Sequence, residues 1–580
     1  MSILLVAAGA MLASAQIQFV DATERLGLGA IAATRVVLAD VNGDRRPDLI
    51  VGGRTIFLNL ADEDGTPTFV RVAETGLPEI GPGDCVVFAD LDGDGLADAL
   101  VTRHVTRTTD LMLPMSWSKG RGDGSFEPPR TIEAELRTTS AVAVGDFNAD
   151  GLLDVYLGNW YSAYGENVEA FANDLLIQRP RRGEDITFER VALPEDEARF
   201  NEEDDAAGRP TYGVMMLRSL AHDRPQPALL ELNYGRRANR LWTVIDERFV
   251  DAAAATELAG DAITHGRYPL WLKERAKTDA RFDRPDEKFF RSHGNTFDAA
   301  IGDVNADGSF DFFLAEITHG WAGESSDRSR FVLTSPGREG PTFWTDRNLN
   351  ADRVPKDIGV LNWNQGDLFC ELADFDHDGR LDLLISSGDY PDNQRLRAFR
   401  QQHDGSFVDV TDWSGIDHDG SQQIAIGDLD LDGDLDIVVG QSFNRYPEAK
   451  KAGREPRLKV YLNQAIERNS GNSLMLTLEG HSDLAIAGDA LGAMVSVEAD
   501  PDGSGTVVRQ VRQLIGIGGH AGKQHAFELH FGIGRATRAE RVVIEWNTLP
   551  PLRTVLSDVT MGRHHIRAIE HHGTNAEENP

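Results

Sequence analysis

Gly427-Asp-Leu-Asp-Leu-Asp-Gly-Asp-Leu-Asp436 lies between two apolar runs, Ile424-Ala-Ile426 before it and Ile437-Val-Val439 after it. Counted from Asp428, oxygen-bearing side chains fall at positions 1, 3, 5 and 9: Asp428, Asp430, Asp432 and Asp436. The same strand–loop–strand outline recurs five more times, with Asp40, Asn42, Asp44 and Asp48; Asp90, Asp92, Asp94 and Asp98; and Asp146, Asn148, Asp150 and Asp154. Asp303, Asn305, Asp307 and Asp311, then Asp374, Asp376, Asp378 and Asp382, complete the set. A single Asp-x-Asp-x-Asp is an ordinary polar turn. Six copies that also share position 9 make a repeat with a ligand set.

That ligand set fits calcium. Calcium takes six to eight hard oxygen ligands in a tolerant geometry, and a loop coiled like the start of an EF-hand turns side chains 1, 3 and 5 inward while residue 7 offers its carbonyl. Asp at position 9 would close the shell. Position 6, where the backbone turns sharply, is Gly95, Gly151, Gly308, Gly379 and Gly433, while the first copy has Arg45 and is expected to be weaker or distorted. No Glu stands at position 12 and no second helix follows, so these are not EF-hands. Magnesium, which keeps water and demands octahedral geometry, suits the loops less well. Up to six calcium ions are expected.

The interval from Asp146 to Asp303 has room for two units, and Ser219-Leu-Ala-His-Asp-Arg-Pro-Gln-Pro-Ala228 shows the outline with Leu220, His222, Arg224 and Ala228 at the ligand positions. This unit is expected to keep the fold without the metal. Each unit continues with a third strand, as in Thr55-Ile-Phe-Leu-Asn59, and a fourth, as in Phe407-Val-Asp-Val-Thr411. The last unit lacks a fourth strand after Asn463, whereas Phe19-Val-Asp-Ala-Thr23 is that motif without a unit. The expected fold is all-β: a seven-bladed β-propeller with six calcium-loop blades and one degenerate blade, closed by the N-terminal strand, which hides two sheet edges. A small β-sandwich-like domain follows.

The loops Gly145-Asp-Phe-Asn-Ala-Asp-Gly-Leu-Leu-Asp154 and Gly427 to Asp436 resemble the FG-GAP/VCBS repeats of integrin α-like propellers. The resemblance covers about residues 17–465 and implies calcium in the loops and a ring used for ligand binding or adhesion. Gly488-Asp-Ala-Leu-Gly492-Ala493, Gly516-Ile-Gly518-Gly-His520, His530-Phe-Gly-Ile-Gly534 and Val543-Ile-Glu-Trp546 resemble the ASPIC/UnbV domain, with Asn547 where that family usually has Pro. The combination is similar to the layout of the cartilage acidic protein family, which implies secretion but names no ligand. The expected division is a signal peptide over 1–15, the propeller over 16–466 with a cap inserted at 251–295, the ASPIC/UnbV domain over 467–570 and a tail over 571–580.

The bulk properties agree. With 93 Asp and Glu against 58 Lys and Arg the formal charge is −35, which repels nucleic acid and anionic membranes. Ile3 to Leu12 is an apolar core too short to span a bilayer, and Ala13-Ser14-Ala15 has the small residues of a cleavage site, so export to the periplasm or the outside is expected. No other stretch reads as a membrane span. Cys85 and Cys370 precede loops in different blades and read as two buried thiols.

Since the Asp-rich loops join first strands to second, they share one face. The long insertions at 158–173, 251–295, 318–329, 348–368, 387–395 and 441–457 then fall on the other. They carry the candidate ligand-binding residues Trp160, Tyr161, His293, His319, Trp321 and Asp327. The first expectation is a secreted, calcium-bound protein that binds an extracellular protein or a polysaccharide there, with no catalysis. The second is an extracellular glycan-acting hydrolase or lyase with its site on that face. Arg121-Gly-Asp123 reads as a turn between outer strands, and the pairs His564-His565 and His571-His572 do not make a metal site on spacing alone.

Overall fold

A computed structural model describes residues 17–571 apart from 62–65, 106–111, 183–184, 202–205, 219, 221–225, 289–290, 320–321, 323–325, 337–340, 347–363, 389–394 and 467–469. The proposed signal peptide and most of the tail lie outside the described residues.

The chain is almost entirely β. Among the described residues seven antiparallel four-stranded units can be traced, the last completed by Phe19–Asp21 and the fifth and sixth joined through Asp311–His319 and Asn364–Ala373, and they build a β-propeller. In the first, Val36–Ala39 pairs with Asp48–Val51, which pairs with Thr55–Ala61, which pairs with Pro67–Arg71. The first two strands are buried at every residue, since neighbouring units cover both faces, and they therefore read as unbroken apolar runs. Fourth strands such as Phe407–Asp409 bury only the Phe and expose the rest.

The ring closes as expected. In the last unit Ser421–Gly427, Asp436–Gln441 and Lys459–Asn463 are completed by Phe19–Asp21, with Phe19 opposite Asn463 and Asp21 opposite Tyr461. Val36–Ala39 of the first unit lies against Ser421–Gly427 of the last. Ala228 opens the second strand of the fourth unit as Asp48 does in the first, which supports the alignment of the degenerate copy. His222 and Arg224 of that copy lie outside the described residues. Both cysteines are free and buried.

After the ring come two small sheets, one of Leu529–Gly534, Asn472–Glu479 and Gly562–Arg567, the other of Val508–Gln513, Met494–Ala499, Arg538–Glu545 and Arg553–Thr560. They do not stand apart from the ring. Their apolar side chains share one core with the second and third units, where Leu476, Val495 and Trp546 join Val87, Trp117 and Val155.

One loop of this domain enters the centre of the ring. Gln524 exchanges two hydrogen bonds with the backbone of Phe88, and its carbonyl accepts from Leu38 N–H. Ile517 bridges Val144, Gly519 pairs with Val214, and Ala526 N–H donates to Ile426 carbonyl. Lys523 Nζ donates to Asp298 Oδ2 at 2.8 Å and to Cys370 carbonyl at 2.8 Å. The loop thus touches the inner strands of all seven units. Its glycines permit the approach: a Cβ on Gly519, at φ +86°, would lie 2.2 Å from Asp298 Oδ1.

Candidate metal centres

The six Asp-rich loops share one hydrogen-bond skeleton. The position 1 carboxylate caps the turn: Asp146 Oδ1 accepts from Asp150 N–H (3.0 Å) and Oδ2 from Gly151 N–H (2.9 Å), and Asp90, Asp303, Asp374 and Asp428 repeat both bonds. Position 5 accepts from the N–H of position 7, as in Asp94 with Leu96. Position 6 is left-handed in every copy, and Arg45 takes that conformation too, at φ 65°, so the first loop keeps the common backbone. Position 4 is also left-handed, at Gly43, Gly93, Ala149, Ala306, His377 and Leu431.

Position 9 is the clasp between loop and blade. Asp154 Oδ2 accepts from Phe147 N–H at position 2 and Oδ1 from Gln178 N–H on the third strand. Asp48, Asp311, Asp382 and Asp436 do the same, and Asp98 accepts from Asp92 and Gly120. The third-strand residue then reaches the preceding unit. Gln178 donates its side-chain amide to Leu91 carbonyl, Gln401 to Val304, Asn463 to Phe375 and Asn59, across the ring closure, to Leu429.

The loops are electrostatically incomplete by themselves. Burial, then the neighbouring carboxylates, pushes Asp48, Asp98 and Asp154 up to about 8. Asp374, Asp382 and Asp436 are driven well above the carboxylate range by burial and by like charges beside them. In three loops carboxylate oxygens converge within 4.8 Å: Asp90, Asp92 and Asp94; Asp374, Asp376 and Asp382; Asp428, Asp430 and Asp436. Asp376 is fully buried and its Oδ1 has no hydrogen-bond partner. An all-oxygen set of this kind suits a hard divalent cation. In the loops with Asn at position 3 the amide donates to position 5, as Asn42 Nδ2 does to Asp44 Oδ2, so a cation there needs the amide turned by half a revolution. Local cations already lean on three loops, with Lys119 at Asp92 and Asp94, Arg400 at Asp376 and Asp378, and Arg563 at Asp428.

The C-terminal domain roofs this face. Asp90 N–H donates to Asp489 Oδ2, Ser473 Oγ to Gly433 carbonyl, and Gly534 N–H to His377 carbonyl. Asn547, the departure from the ASPIC/UnbV pattern, donates its amide to Asp146 carbonyl at 2.6 Å. Among the described residues the C-terminal domain puts no such roof on the insertion face. Its cap includes the short helix Leu270–Ala276.

Of the residues proposed for ligand binding, Trp160 is buried in an aromatic stack, 4.4 Å between centroids from Tyr212, which stacks on Phe297 at 4.0 Å. His520 of the channel loop packs on Phe297, so this stack closes the channel from the insertion side. Tyr161 is buried and lines a cleft beside Tyr234 and Arg236. His319 lines the same cleft. Asp327 is 1% exposed, accepts from Arg330 and from Asp261 N–H, and lies 4.0 Å from His293. Trp321 lies outside the described residues.

Sequence reasoning missed one loop. Asp500-Pro-Asp502-Gly-Ser504-Gly505-Thr506 repeats the blade skeleton: Asp500 accepts from Ser504 and Gly505 N–H, and Gly503 and Gly505 are left-handed. The Asp-x-Asp-Gly-Ser-Gly spacing signals it, but Val508 stands at position 9. Arg121-Gly-Asp123 is a turn, with Asp123 accepting from Ser125 N–H, and His565 pairs with Glu479.

The FG-GAP-like repeat family matches residues 40–101 and 357–439, and the family described as ASPIC and UnbV matches 486–571. No curated protein matches the chain. Among solved structures, an Agrocybe aegerita lectin, described as recognising non-reducing terminal N-acetylglucosamine, is 13% identical over 64% of this chain and 78% of its own, with a TM-score of 0.37. The exotype rhamnogalacturonan lyase YesX is 10% identical over 75% and 90%, at 0.29. An exo-beta-1,3-galactanase from Clostridium thermocellum is 9% identical over 66% and 75%, at 0.27. Likeness at these scores carries no functional argument.

Proposed function

We propose that this chain, with FG-GAP-like repeats in its ring and an ASPIC/UnbV domain on one face, is a secreted, calcium-stabilised, seven-bladed binding protein. Its partner is an extracellular protein or polysaccharide held on the insertion-rich face. One observation carries this reading. The C-terminal domain hydrogen-bonds to the loops that begin at Asp90, Asp146, Asp374 and Asp428 and fills the channel, so the loops serve the scaffold and the opposite face is the one for a partner. Among the described residues no helix is long and apolar enough to cross a membrane.

Calcium fits the loops for the reasons already on the page: oxygen-only ligands, converging carboxylates and buried repulsion that a cation removes. Six such ions would cancel 12 of the 35 excess negative charges. Position 9 would then bind the cation while clasping loop to blade, which makes the metal a brace.

Binding is favoured over glycan hydrolysis because Asp327, the acidic candidate of that face, is buried against Arg330 and Asp261 N–H, in a structural role. The test is a glycan array and a protein pull-down with the calcium-loaded full chain. A specific partner lost on blocking the insertion face is expected. Partners that bind equally after that face is altered would refute the reading.

A further inference from the structure

On the insertion face, the loops after the second strands of the third and fourth units and the returning cap enclose a cleft of about 530 Å³, inside the ~300–1,000 Å³ range of small-ligand sites. Its walls are aromatic. Tyr161 and Tyr164 lie 5.4 Å apart between centroids, Tyr234 stands edge-on to Tyr161 at 6.4 Å, and Tyr164 is 48% exposed.

Its charge runs against that of the chain. Three guanidinium groups, of Arg236, Arg284 and Arg291, line the cleft with two carboxylates, of Glu166 and Glu287. Glu287 is shared: it pairs with Arg236, lies 3.5 Å from Arg291, and accepts from Tyr268 Oη at 2.6 Å. Arg284 is exposed. In a protein of formal charge −35, a cleft with an excess of arginine is a local reversal of sign. His319 registers the same field: burial, then the charges of Arg236, Arg284 and Arg445, pushes it down to about 4, so it is neutral at pH 7.

The lining also says what kind of anion fits. Among the described lining residues Val168 is the only aliphatic side chain, and the rest are aromatic, charged or polar. Tyrosine faces offer flat apolar surface with a polar edge, which matches a pyranose ring with its C–H face and hydroxyl rim. Arginine offers the planar fork that matches a carboxylate. We propose that this cleft binds a uronate-bearing polysaccharide, its carboxylates paired to Arg284 and Arg291, with the buried Arg236 adding to the field, and a sugar ring stacked on the exposed Tyr164. The proposal rests on the reading that the insertion-rich face is the working face, and it names the ligand class of that face.

The experiment is calorimetric titration of the full chain, at constant free calcium, with hexagalacturonate, with a neutral galactan oligomer of the same length, and with a poly-glutamate peptide. Hexagalacturonate alone is expected to bind, with affinity lowered at least tenfold by Arg284→Glu and by Tyr164→Ala, both exposed positions whose variants keep the wild-type melting temperature. Raising salt should weaken binding. Equal binding of the neutral oligomer or of the peptide, no binding of hexagalacturonate, or binding unchanged in both variants would overturn the proposal. A protein or neutral glycan captured on this face instead would leave the broader reading standing and remove only this one. Capture of nothing on this face would remove both.

Discussion

The ammonium of Lys523 and the carboxylate of Asp298 meet 2.8 Å apart at the centre of the ring, both buried. Glu371 lies 3.1 Å from the same ammonium. Breaking a buried pair leaves an uncompensated charge and costs about 3–5 kcal/mol, more than the pair contributes when whole. Lys523→Met is therefore expected to lower stability by roughly that much, read as a drop in denaturant midpoint. Adding Asp298→Asn should restore part of the loss. If the double variant is no more stable than the single, the pair does not anchor the loop.

The same cluster has a pH signature. Burial raises Glu371, but the charges of Lys523 and His525 outweigh it and hold the carboxyl at about 2, against an ordinary 4.5. A depressed carboxylate contributes stability that is complete above the unfolded value and lost as pH falls through the folded one. The expected window is pH 4.5 down to 2. Glu371→Gln should flatten the stability curve in that window, as followed by denaturation at fixed pH.

Chelation gives a signature of opposite sign. Without a cation Asp48, Asp98 and Asp154 are raised to about 8 from 3.8, so their contribution is complete below 3.8 and lost as pH rises through 8. A bound cation makes their ionised form the stable one. The melting temperature of calcium-loaded protein should exceed that of chelated protein, and by more at pH 8 than at pH 5. An equal gap, or none, would remove calcium from the loops.

The amide ties between units act independently of any cation in the loops. Asn463→Ala leaves the buried Phe375 carbonyl without its side-chain donor and should cost about 1–3 kcal/mol. The loss should persist in the presence of chelator, as measured by denaturant midpoint. Removal of 17–23 should do more, since it opens the edge of Lys459–Asn463 and bares Phe19's pocket. Aggregation on mild heating, followed by light scattering, is the expected outcome.

The parts of this fold that repeat were legible in the sequence. Asp at position 9 marks the start of the second strand in six units, and the orphaned Phe19-Val-Asp motif pairs where its copies predict. Arg45 was not legible as an ordinary loop residue, because its left-handed conformation is imposed by the Asp40 cap around it. The channel loop was hidden for a different reason. Gln524 bonds Phe88 across 436 residues, and no local pattern of polarity encodes a contact of that span. Its glycines are visible in the sequence, but the need for them is set by Asp298 and Cys85 on the ring. The cleft escaped because its arginines come from separate segments, at 236, 284 and 291, in a chain whose average charge points the other way.

The closing strand dictates an order of events during synthesis. Asp21 reaches Lys459 across 438 residues, so the ring has two open edges until nearly four-fifths of the chain exists. The loop that fills the channel is made later still, around residues 516–526, and it binds inner strands from every unit. Long-range pairings of this kind fold slowly and expose unpaired strands while they wait. In a chain built this way the first strand finds its neighbours only after the last unit has been made.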